Sequence, residues 1–293
     1  MIITSCGNSI SLAQRLAKSL KVKFSPLNIG SFPDGDIYLR FNTQLNKQTV
    51  VIVNSFQPES NKALFNIVFA AQTAKDLGAK KVILVAPYLA YMRQDKRFNP
   101  GEAISSKIMA RLLNDSIDKI ITIDPHLHRY KSLKDIFTIQ TKKLTTNPLI
   151  AHYVKKHIKN SLIMGPDWES YQWAEDIAKE IKVKNTVLAK TRYSSRHVSV
   201  EMKDPQSLKN KNIVIVDDII STGHTMIEAA KKAKQKGAKS IIAIGVHGLF
   251  VENALDKMKK YFDQIITTNC IEHKTNKIDI LPLLVEEIKH ETR

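Results

Sequence analysis

Two adjacent carboxylates and a short polar stretch follow a run of aliphatic residues in IVIVDDIISTGHT, residues 213–225. Asp217 and Asp218 stand at the predicted carboxyl end of a buried strand, where open α/β sheets bind their ligands. The chain then enters a predicted helix beginning near Thr225, and backbone N–H groups at a helix start favour an anion. Gly223 lets the backbone approach a ligand closely, so the stretch predicts a phosphate cradle. Its members are Ser221, Thr222, Gly223, His224 and Thr225.

The acid pair has a different task from the cradle, because carboxylates repel phosphate. The two acids would contact another part of the same ligand, and sugar hydroxyls or a bound Mg²⁺ are the natural partners. A purely structural interpretation has Asp217 capping the turn and Ser221 capping the helix. Two neighbouring acids together with the whole loop favour a ligand, and the predicted ligand is a phosphorylated sugar.

The elements that must position these residues are strands alternating with helices. Strand-like runs include ILVAPY, KIITI, SLIMG and IVIVDD, and helix-like stretches separate them. This alternation predicts an α/β fold with a central, mainly parallel sheet flanked by helices. The runs are continuous in Val and Ile, as expected where helices cover both faces of a sheet.

Parts of the chain repeat each other. KDLGAKKVILVAPYLA (75–90) aligns with KQKGAKSIIAIGVHGLF (234–250), and each segment has a helix end, a Gly cap and a buried strand. Upstream, TVVIVNSF (49–56) aligns with NIVIVDDI (212–219). The repeat predicts two domains of one architecture, although any α/β chain offers similar segments by chance.

The predicted domains span residues 1–145 and 146–293, with a boundary where TKKLTTNP breaks the pattern. In the alignment, Asp217 corresponds to Asn54, and Asp218 to the serine that follows it. Only the second half therefore keeps the paired acids and the cradle.

The formal charge of +17 admits three interpretations. A basic surface could bind nucleic acid, or its field could attract a small polyphosphate substrate. The third interpretation is a solvated lysine-rich surface, since many lysines fall in helical stretches such as KKAKQKGAK (231–239). The chain has no basic tail or basic block interleaved with aromatic residues, so we expect no nucleic-acid partner.

Cysteine usage and hydropathy bear on the compartment. Cys6 and Cys270 are far apart without metal-type spacing, which indicates a reducing compartment and argues against a disulfide framework. The N-terminus MIITSCGNSISL lacks the features of a signal peptide, and no apolar run approaches the ~20 residues that span a bilayer. We therefore expect a cytoplasmic protein without a membrane partner.

The stretch VIVDDIISTGHT resembles the phosphoribosyl-diphosphate motif of type I phosphoribosyltransferases and ribose-phosphate diphosphokinases, most of which have Gly in place of His224. Further segments resemble, in order and at comparable separations, the ATP-site motifs of the diphosphokinases. They are FPDGDIYLR (32–40), PYLAYMRQDKRFNPGEAISSK (87–107), IDPHLH (123–128) and GPD (165–167). The resemblance covers nearly the whole chain, looks archaeal in KTRYSSRHVSVEM, and implies two tandem domains of the type I phosphoribosyltransferase-like fold.

The resemblance assigns Phe32, Asp34 and Asp36 to adenine recognition, with Asp36 standing where Glu is common. In the family these residues reach the ATP site from a neighbouring subunit, so a homo-oligomer is implied. An aromatic face can stack on a purine, and carboxylates can accept its exocyclic N–H. The alternative is that FPDGD is a plain turn.

Arg93 and Gln94 would hold the ATP phosphates, and Arg suits this task because its planar fork can bond two oxygens. Lys96, further along the same stretch, could simply be solvated. Tyr88 and Tyr91 are interpreted as packing groups.

His126 matches the family histidine that helps bind Mg-ATP, and Asp167 matches its acidic partner near the metal. The usual acid-aliphatic-His-small run has become DPHLH here. His128 competes for the same role, and a lone histidine is often structural.

Lys190 and Arg192 match the basic pair of the family's mobile catalytic loop. The segment of about residues 190–203 is polar and lies between two predicted strands, as active-site lids often do. The alternative interpretation is a solvated basic hairpin.

The family resemblance implies transfer of the diphosphoryl group of ATP to the C1 hydroxyl of ribose 5-phosphate, with Mg²⁺. A phosphoribosyltransferase that consumes the product would not need the FPDGD and RQDK motifs. A non-catalytic regulatory homologue typically loses catalytic residues, which this chain retains. A DNA-binding regulator on the same fold would need a helix-turn-helix segment, and none precedes the first predicted domain.

Overall fold

The computed structural model of the protein describes residues 1–167, 170–192, 198–202 and 208–291. The chain folds into two compact units, and each has its own main sheet. Unit 1 comprises Met1–Leu144, Cys270–Glu272 and Ile280–Arg293, and unit 2 comprises Thr145–Asn269 and His273–Asp279.

A parallel sheet and a separate hairpin contain the strands of unit 1. These strands are β1 (Ile2–Thr4), β2 (Lys23–Phe24), β3 (Leu27–Ser31), β4 (Ile37–Phe41), β5 (Thr49–Val53), β6 (Lys81–Ala86), β7 (Lys119–Ile123) and β8 (Gln140–Leu144). The sheet order is β2-β1-β5-β6-β7-β8, with every pair parallel. The hairpin is the antiparallel pair β3 and β4.

Helices pack on this sheet and bury its aliphatic strands. They are α1 (Ile10–Leu20), α2 (Ser60–Asp76) and α3 (Ser105–Ser116), with a short 3-10 turn at Leu133–Asp135. Val50, Val51 and Ile52 of β5 are fully buried, and burial of each such side chain contributes about 1.5–3 kcal/mol. The buried face of α2 is rich in alanine, which lets this helix lie close to the strands.

Unit 2 has a longer sheet. Its strands are β9 (Ser161–Gly165), β10 (Asn185–Arg192), β11 (Val198–Met202), β12 (Asn212–Ile220), β13 (Ser240–Gly248), β14 (Gln264–Thr268) and β15 (Asn276–Ile278). Its helices are α4 (Asn147–His157), α5 (Tyr171–Ile181), α6 (His224–Gln235) and α7 (Ala254–Met258), with a 3-10 turn at Val251–Asn253. The order is β11-β10-β9-β12-β13-β14-β15, and only β11 runs antiparallel to its neighbour in this described sheet.

The two units have the same strand order once β11 is set aside, which confirms the predicted duplication. β5 and β12 occupy the same place, as do β6 and β13. The Gly caps also match: Gly78 after α2 and Gly237 after α6 have φ values of 80° and 81°. Each donates its N–H to the carbonyl three residues earlier, Lys75 at 2.9 Å and Lys234 at 3.0 Å. Only glycine adopts this left-handed conformation without strain.

The last helix, α8 (Leu281–Ile288), lies against α1 and belongs to unit 1. The sequence prediction of domains at 1–145 and 146–293 assigned this helix to the second domain. The difference arises because the ends of a duplicated chain are free to pack on either copy, and no local pattern records the choice.

Carboxylates from this last segment neutralise lysines near the amino ends of the unit 1 strands. Lys119 lies 2.9 Å from both Glu287 and Glu291, Lys81 lies 2.7 Å from Glu291, and Lys142 lies 3.0 Å from Glu287. Burial disfavours the charged form of Lys119, but its hydrogen bonds to the two glutamates outweigh burial and raise its pKa. Burial opposes ionisation of Glu287 and Glu291 as well, yet the lysine hydrogen bonds lower both pKa values.

Two further sequence expectations concern cysteines and membranes. Cys6 and Cys270 are both buried as free thiols. Within the described ranges, no helix combines the length and the apolar character that crossing a bilayer requires.

Candidate active site

The acid pair lies within the second half of β12. The strand continues to Ile220, so Asp217 and Asp218 are inside it, two residues further from its end than the sequence predicted. Pairing with β9 ends at Ile215, whereas pairing with β13 continues to Ile220. Among the described residues, Asp217 and Asp218 therefore lie in a part of β12 that pairs with β13 but not with β9.

The electrostatics of Asp217 are unfavourable for an isolated carboxylate. Desolvation raises its pKa well above the ordinary range, and the charges of Asp218 and Asp167 raise it further. The backbone N–H of Asp218 donates to Oδ1 of Asp217 at 3.0 Å, which acts in the opposite direction but is outweighed. A cation or a set of hydroxyl donors at this position would relieve the repulsion.

Asp167 follows β9 and approaches the acid pair closely enough to influence Asp217. Its Oδ1 accepts hydrogen bonds from the backbone N–H of Ser170 at 3.1 Å and from Ser170 Oγ at 2.7 Å. These bonds link Asp167 to Ser170, the residue before α5. Unit 2 thus gathers three carboxylates at the carboxyl edge of adjacent strands. Hard oxygen ligands of this kind fit Mg²⁺.

The loop after β12 is shaped by Gly223. Its φ of 75° lies in the left-handed region, and a Cβ there would meet Sδ of Met258 at 2.9 Å. Glycine is therefore required by both backbone conformation and space. Helix α6 begins at the next residue, so its first N–H groups have no partner within the helix and point toward this loop. Ser221, Thr222 and Thr225 are half-buried around it.

His224, which stands where the family usually has Gly, is the first residue of α6, and its side chain is exposed. The helix begins one residue earlier than predicted. A side chain is acceptable at 224 because the strained position is 223. The departure from the family pattern therefore lies outside the strained position.

Lys190 and Arg192 lie in β10, not in an irregular loop. β10 and β11 form an antiparallel pair in which Lys190 faces Val200 and Arg192 faces Val198. The predicted loop of about 190–203 is therefore wrong for the described backbone, which agrees with the alternative of a hairpin. Residues 193–197 of that segment, and the side chains of Lys190 and Arg192, lie outside what the structure describes.

In unit 1, the FPDGD segment forms the tip of the β3–β4 hairpin. Phe32 is 52% exposed and makes an edge-to-face contact with Tyr38, with ring centroids 5.7 Å apart. Asp34 and Asp36 are exposed, and Asp34 Oδ1 accepts the backbone N–H of Asp36 at 3.2 Å. The segment is a turn, as the alternative interpretation held, and it presents an aromatic face and two acids to the outside.

The RQDK stretch follows β6. Arg93 is exposed, whereas Gln94 is half-buried over the start of α3. Ser105 Oγ donates to Gln94 Oε1, and the carbonyl oxygen of Gln94 accepts the N–H of Ser106 at 3.4 Å. Gln94 therefore joins the loop to α3. Tyr88 is buried, as expected for a packing group.

Asp95 is a positioning residue whose role the sequence left unassigned. Its side chain has no exposed surface, and both its oxygens accept from Nη1 of Arg129, at 3.0 and 3.2 Å. Tyr130 adds a hydrogen bond from its hydroxyl to the Asp95 carbonyl at 3.1 Å. These contacts tie the loop after β6 to the loop after β7. In the sequence, the acid of RQDK and the arginine that follows HLH are the two residues that could have indicated this ion pair.

His126 and His128 follow β7 and lie together. Their ring centroids are 3.7 Å apart, with His126 half-buried and His128 exposed. The loops that carry Arg93, Gln94 and the two histidines are joined through the Asp95–Arg129 pair. Unit 1 therefore collects basic and polar side chains at the carboxyl edge of its own sheet.

The position equivalent to the acid pair has a different character in unit 1. Asn54 and Ser55 are fully buried. Asn54 Oδ1 accepts the N–H of Asn8 at 3.1 Å, and the N–H of Ser55 donates to Ser9 Oγ at 3.0 Å. These side chains hold the loop after β1, so this part of unit 1 serves the fold.

Two family models match the chain. One is the N-terminal domain of ribose phosphate pyrophosphokinase, over residues 1–116, and the other is a phosphoribosyl transferase domain, over residues 132–281. A ribose-phosphate pyrophosphokinase of Sulfolobus acidocaldarius is 35% identical and spans 96% of this chain and 97% of its own length. The protein of that name from Methanopyrus kandleri is 30% identical and spans 99% of both chains.

A solved structure is also similar. Phosphoribosylpyrophosphate synthetase from Mycobacterium smegmatis aligns with a TM-score of 0.88 over 99% of this chain and 98% of that one, with 24% sequence identity. At this identity the likeness shows the fold, an α/β architecture with two phosphoribosyltransferase-type domains.

Proposed function

This chain belongs to the ribose-phosphate pyrophosphokinase family, and we propose that it transfers the diphosphoryl group of ATP to the C1 hydroxyl of ribose 5-phosphate. The products are 5-phosphoribosyl 1-diphosphate, a precursor for nucleotide biosynthesis, and AMP. The observation that carries this assignment is the edge of unit 2, where three carboxylates and the Gly223 loop meet at adjacent strand ends.

Unit 2 holds the sugar phosphate. The 5-phosphate lies on the loop 221–225, where free N–H groups of the α6 start and the hydroxyls of Ser221, Thr222 and Thr225 donate to its oxygens. Asp217 and Asp218 accept hydrogen bonds from the ribose hydroxyls, which orients the C1 hydroxyl. The raised pKa of Asp217 supports this role, because a carboxylate under repulsion gains most from added donors or a cation.

Asp167 and the acid pair would hold Mg²⁺ in unit 2, and His126 would help to bind Mg-ATP in unit 1. When bound, Mg²⁺ neutralises charge on phosphate oxygens. The carboxylates keep their oxygens at the strand edge, where Ser170 fixes Asp167 through two hydrogen bonds. Because these carboxylates must be ionised to bind a divalent ion, the affinity for the ion should rise with pH.

Unit 1 holds ATP. Arg93 and Gln94 bind the phosphates, with the Asp95–Arg129 pair fixing their loop. Phe32, Asp34 and Asp36 recognise adenine for a neighbouring subunit. The exposed aromatic face of Phe32 at a hairpin tip supports this role, and the active form is accordingly a homo-oligomer.

The chemical step is a displacement at the β-phosphorus. The C1 oxygen forms the new bond, the bond from the β-phosphorus to the bridging α–β oxygen breaks, AMP leaves, and the hydroxyl proton passes to solvent. Positioning and charge stabilisation supply most of such a rate enhancement. Lys190 and Arg192 on β10 supply the cations for the developing charge, and no covalent enzyme intermediate is required.

The direct test is to incubate the purified chain with ATP, Mg²⁺ and ribose 5-phosphate and to follow AMP. We expect AMP and 5-phosphoribosyl 1-diphosphate in equal amounts, and none when the sugar phosphate is omitted. A phosphoribosyltransferase would give no AMP under these conditions and would instead consume added 5-phosphoribosyl 1-diphosphate with a base.

A further inference from the structure

A second concave region lies at the amino edge of the unit 2 sheet. It is lined by the end of α4, the end of α5 and the segments that enter β9, β10 and β12. Its volume of about 730 Å³ is in the range of small-molecule sites. Asp217 lies six residues along β12 from Lys211, and at ~3.3 Å per residue the two edges are about 20 Å apart. This region is therefore separate from the sugar-phosphate edge.

Five lysines line the region, and no carboxylate is among its described lining residues. They are Lys155, Lys159, Lys182, Lys184 and Lys211. Lys211 Nζ donates to Asn160 Oδ1 at 2.7 Å, a neutral acceptor that leaves the charge in place. The ends of α4 and α5 contribute roughly half a negative charge each, about one in total. Helix dipoles thus account for only a small part of the five positive charges.

The duplicated architecture supplies an internal comparison. Lysines near the amino edge of unit 1, Lys81 and Lys119, are neutralised by carboxylates of the last segment of the chain at 2.7–2.9 Å. In the described part of unit 2, no ion pair joins the five lysines of this region to a carboxylate. Carboxylates of the chain therefore neutralise lysines at the starts of β6 and β7 in unit 1, whereas the five lysines near the starts of β9, β10 and β12 keep their charge.

The apolar residues that line the region indicate which kind of anion would suit it. Ile158, Leu162, Ile181 and Val183 line it beneath the lysines. Leu162 is buried, and the other three are half-buried. Bare phosphate or a metal-bound phosphate gains nothing from such a surface, whereas an aromatic or aliphatic body does.

We propose that this edge of unit 2 binds an organic phosphate that has at least two phosphate charges and an apolar or aromatic body. The phosphates contact the lysines, and the body covers the aliphatic floor. Since four of the five lysines are exposed, binding is expected to weaken steeply with salt.

Adenosine 3′,5′-bisphosphate is a suitable probe, because it has two separated phosphates and no diphosphoryl group to transfer. Calorimetry would measure its affinity for the full chain at low salt. Hydrogen–deuterium exchange would locate it. We expect protection of the backbone in residues 158–163 and 181–186.

The variant Lys155→Glu/Lys184→Glu should bind at this edge on the order of tenfold more weakly or worse, with protection of both segments lost. Lys155→Gln/Lys184→Gln removes the charges without reversing them, and should show an intermediate loss. Lys260→Glu/Lys277→Glu makes the same change in net charge at exposed positions of unit 2 outside this region, and should keep affinity and protection.

Any one of the following results would overturn the proposal. One is unchanged protection in the Lys155→Glu/Lys184→Glu variant, or none in the natural chain. Another is equal affinity for inorganic tripolyphosphate, which would mean that the apolar floor is not used. The last is stronger protection of the same segments by a single-stranded oligonucleotide, which would make this edge a nucleic-acid surface.

Discussion

The carboxyl ends of β5 and β12 occupy the same place in two copies of one fold, yet the first has neutral polar residues and the second has two acids. At the end of β5, Asn54 and Ser55 are buried in hydrogen bonds that hold neighbouring loops. In β12, Asp217 and Asp218 repel each other, and the pKa of Asp217 is raised. One copy has neutral polar groups that bond neighbouring loops, and the other has two carboxylates whose charges repel.

The difference in charge between β5 and β12 indicates which copy of a duplicated fold is suited to bind a ligand. Internal satisfaction stabilises unit 1 at this position, because buried polar groups with partners are not costly. Desolvation and mutual repulsion of the carboxylates cost stability in unit 2, and a bound ligand or metal would offset that cost. The two units also differ in the counterparts β2 and β10: β2 has two residues, whereas β10 has eight and pairs with the additional strand β11.

The largest effect on activity should come from a substitution in β10, which is longer than its counterpart β2. Lys190→Ala should lower kcat by roughly three orders of magnitude or more while largely sparing ATP binding, because a cation that meets developing phosphate charge acts mainly in the transition state. Steady-state kinetics and ATP calorimetry would measure the two effects. Lys277→Ala, an exposed lysine on β15, is the control, and a similar small loss in both variants would remove Lys190 from the mechanism.

Making unit 2 resemble unit 1 is the next test. Asp217→Asn should lower kcat/KM by roughly a hundredfold to a thousandfold, since it removes a charge that orients the sugar. The melting temperature should not fall, because the substitution relieves desolvation and repulsion at a half-buried carboxylate. Activity and thermal unfolding of the same sample would decide. A melting temperature that fell together with activity would make Asp217 a structural residue.

The reverse substitution, which makes unit 1 resemble unit 2, should lower the stability of the fold. Asn54→Asp replaces the Nδ2 donor that bonds the Ser55 carbonyl at 3.0 Å with an acceptor, and it buries a charge without a cation. We expect a loss of about 3 kcal/mol in the free energy of unfolding. Denaturant unfolding would measure it, with Asn42→Asp at an exposed site as the control. Equal stability of the two variants would contradict the closed network in unit 1.

The smallest effect concerns the amino edge of unit 1. The pKa values of Glu287 and Glu291 are lower in the folded chain than in the unfolded one, where Glu titrates near about 4.3. Their contribution is therefore complete above about pH 4.3 and is lost as pH falls through the folded-state pKa values. Glu291→Gln should lower the free energy of unfolding by about 1 kcal/mol at pH 7.

The difference between the natural chain and Glu291→Gln should shrink as the pH is lowered to about 3. Glu286→Gln removes an exposed partner of Lys289 and should have little effect at either pH. A difference that did not depend on pH would show that Glu291 acts through packing and not through charge.

Much of the candidate site was predictable because its members are neighbours in sequence. The acid pair, Gly223 and the start of α6 fall within ten residues, and each has a local reason to be there. The prediction of a loop at Lys190 was wrong, because polar residues in a strand look like loop residues when their strand partner is unknown. The roles assigned to the site residues stay predictions.

Contacts between distant residues could not be predicted. The Asp95–Arg129 pair joins loops 34 residues apart, and the lysines at the amino edge of unit 2 come from separate helices and strands. Neither set has a spacing that marks it, because the partners are brought together only when the strands are ordered in the sheet.

The sequence by itself determined the α/β class, the duplication, the family and the local shape of the loop at residues 221–225, since each depends on short-range patterns of apolar residues, glycines and acids. Only the tertiary structure decided which copy receives the last helix and where cations remain without internal anions. The physical reason is that charge compensation depends on distance in space, and folding sets that distance between residues whose sequence separation carries no signal.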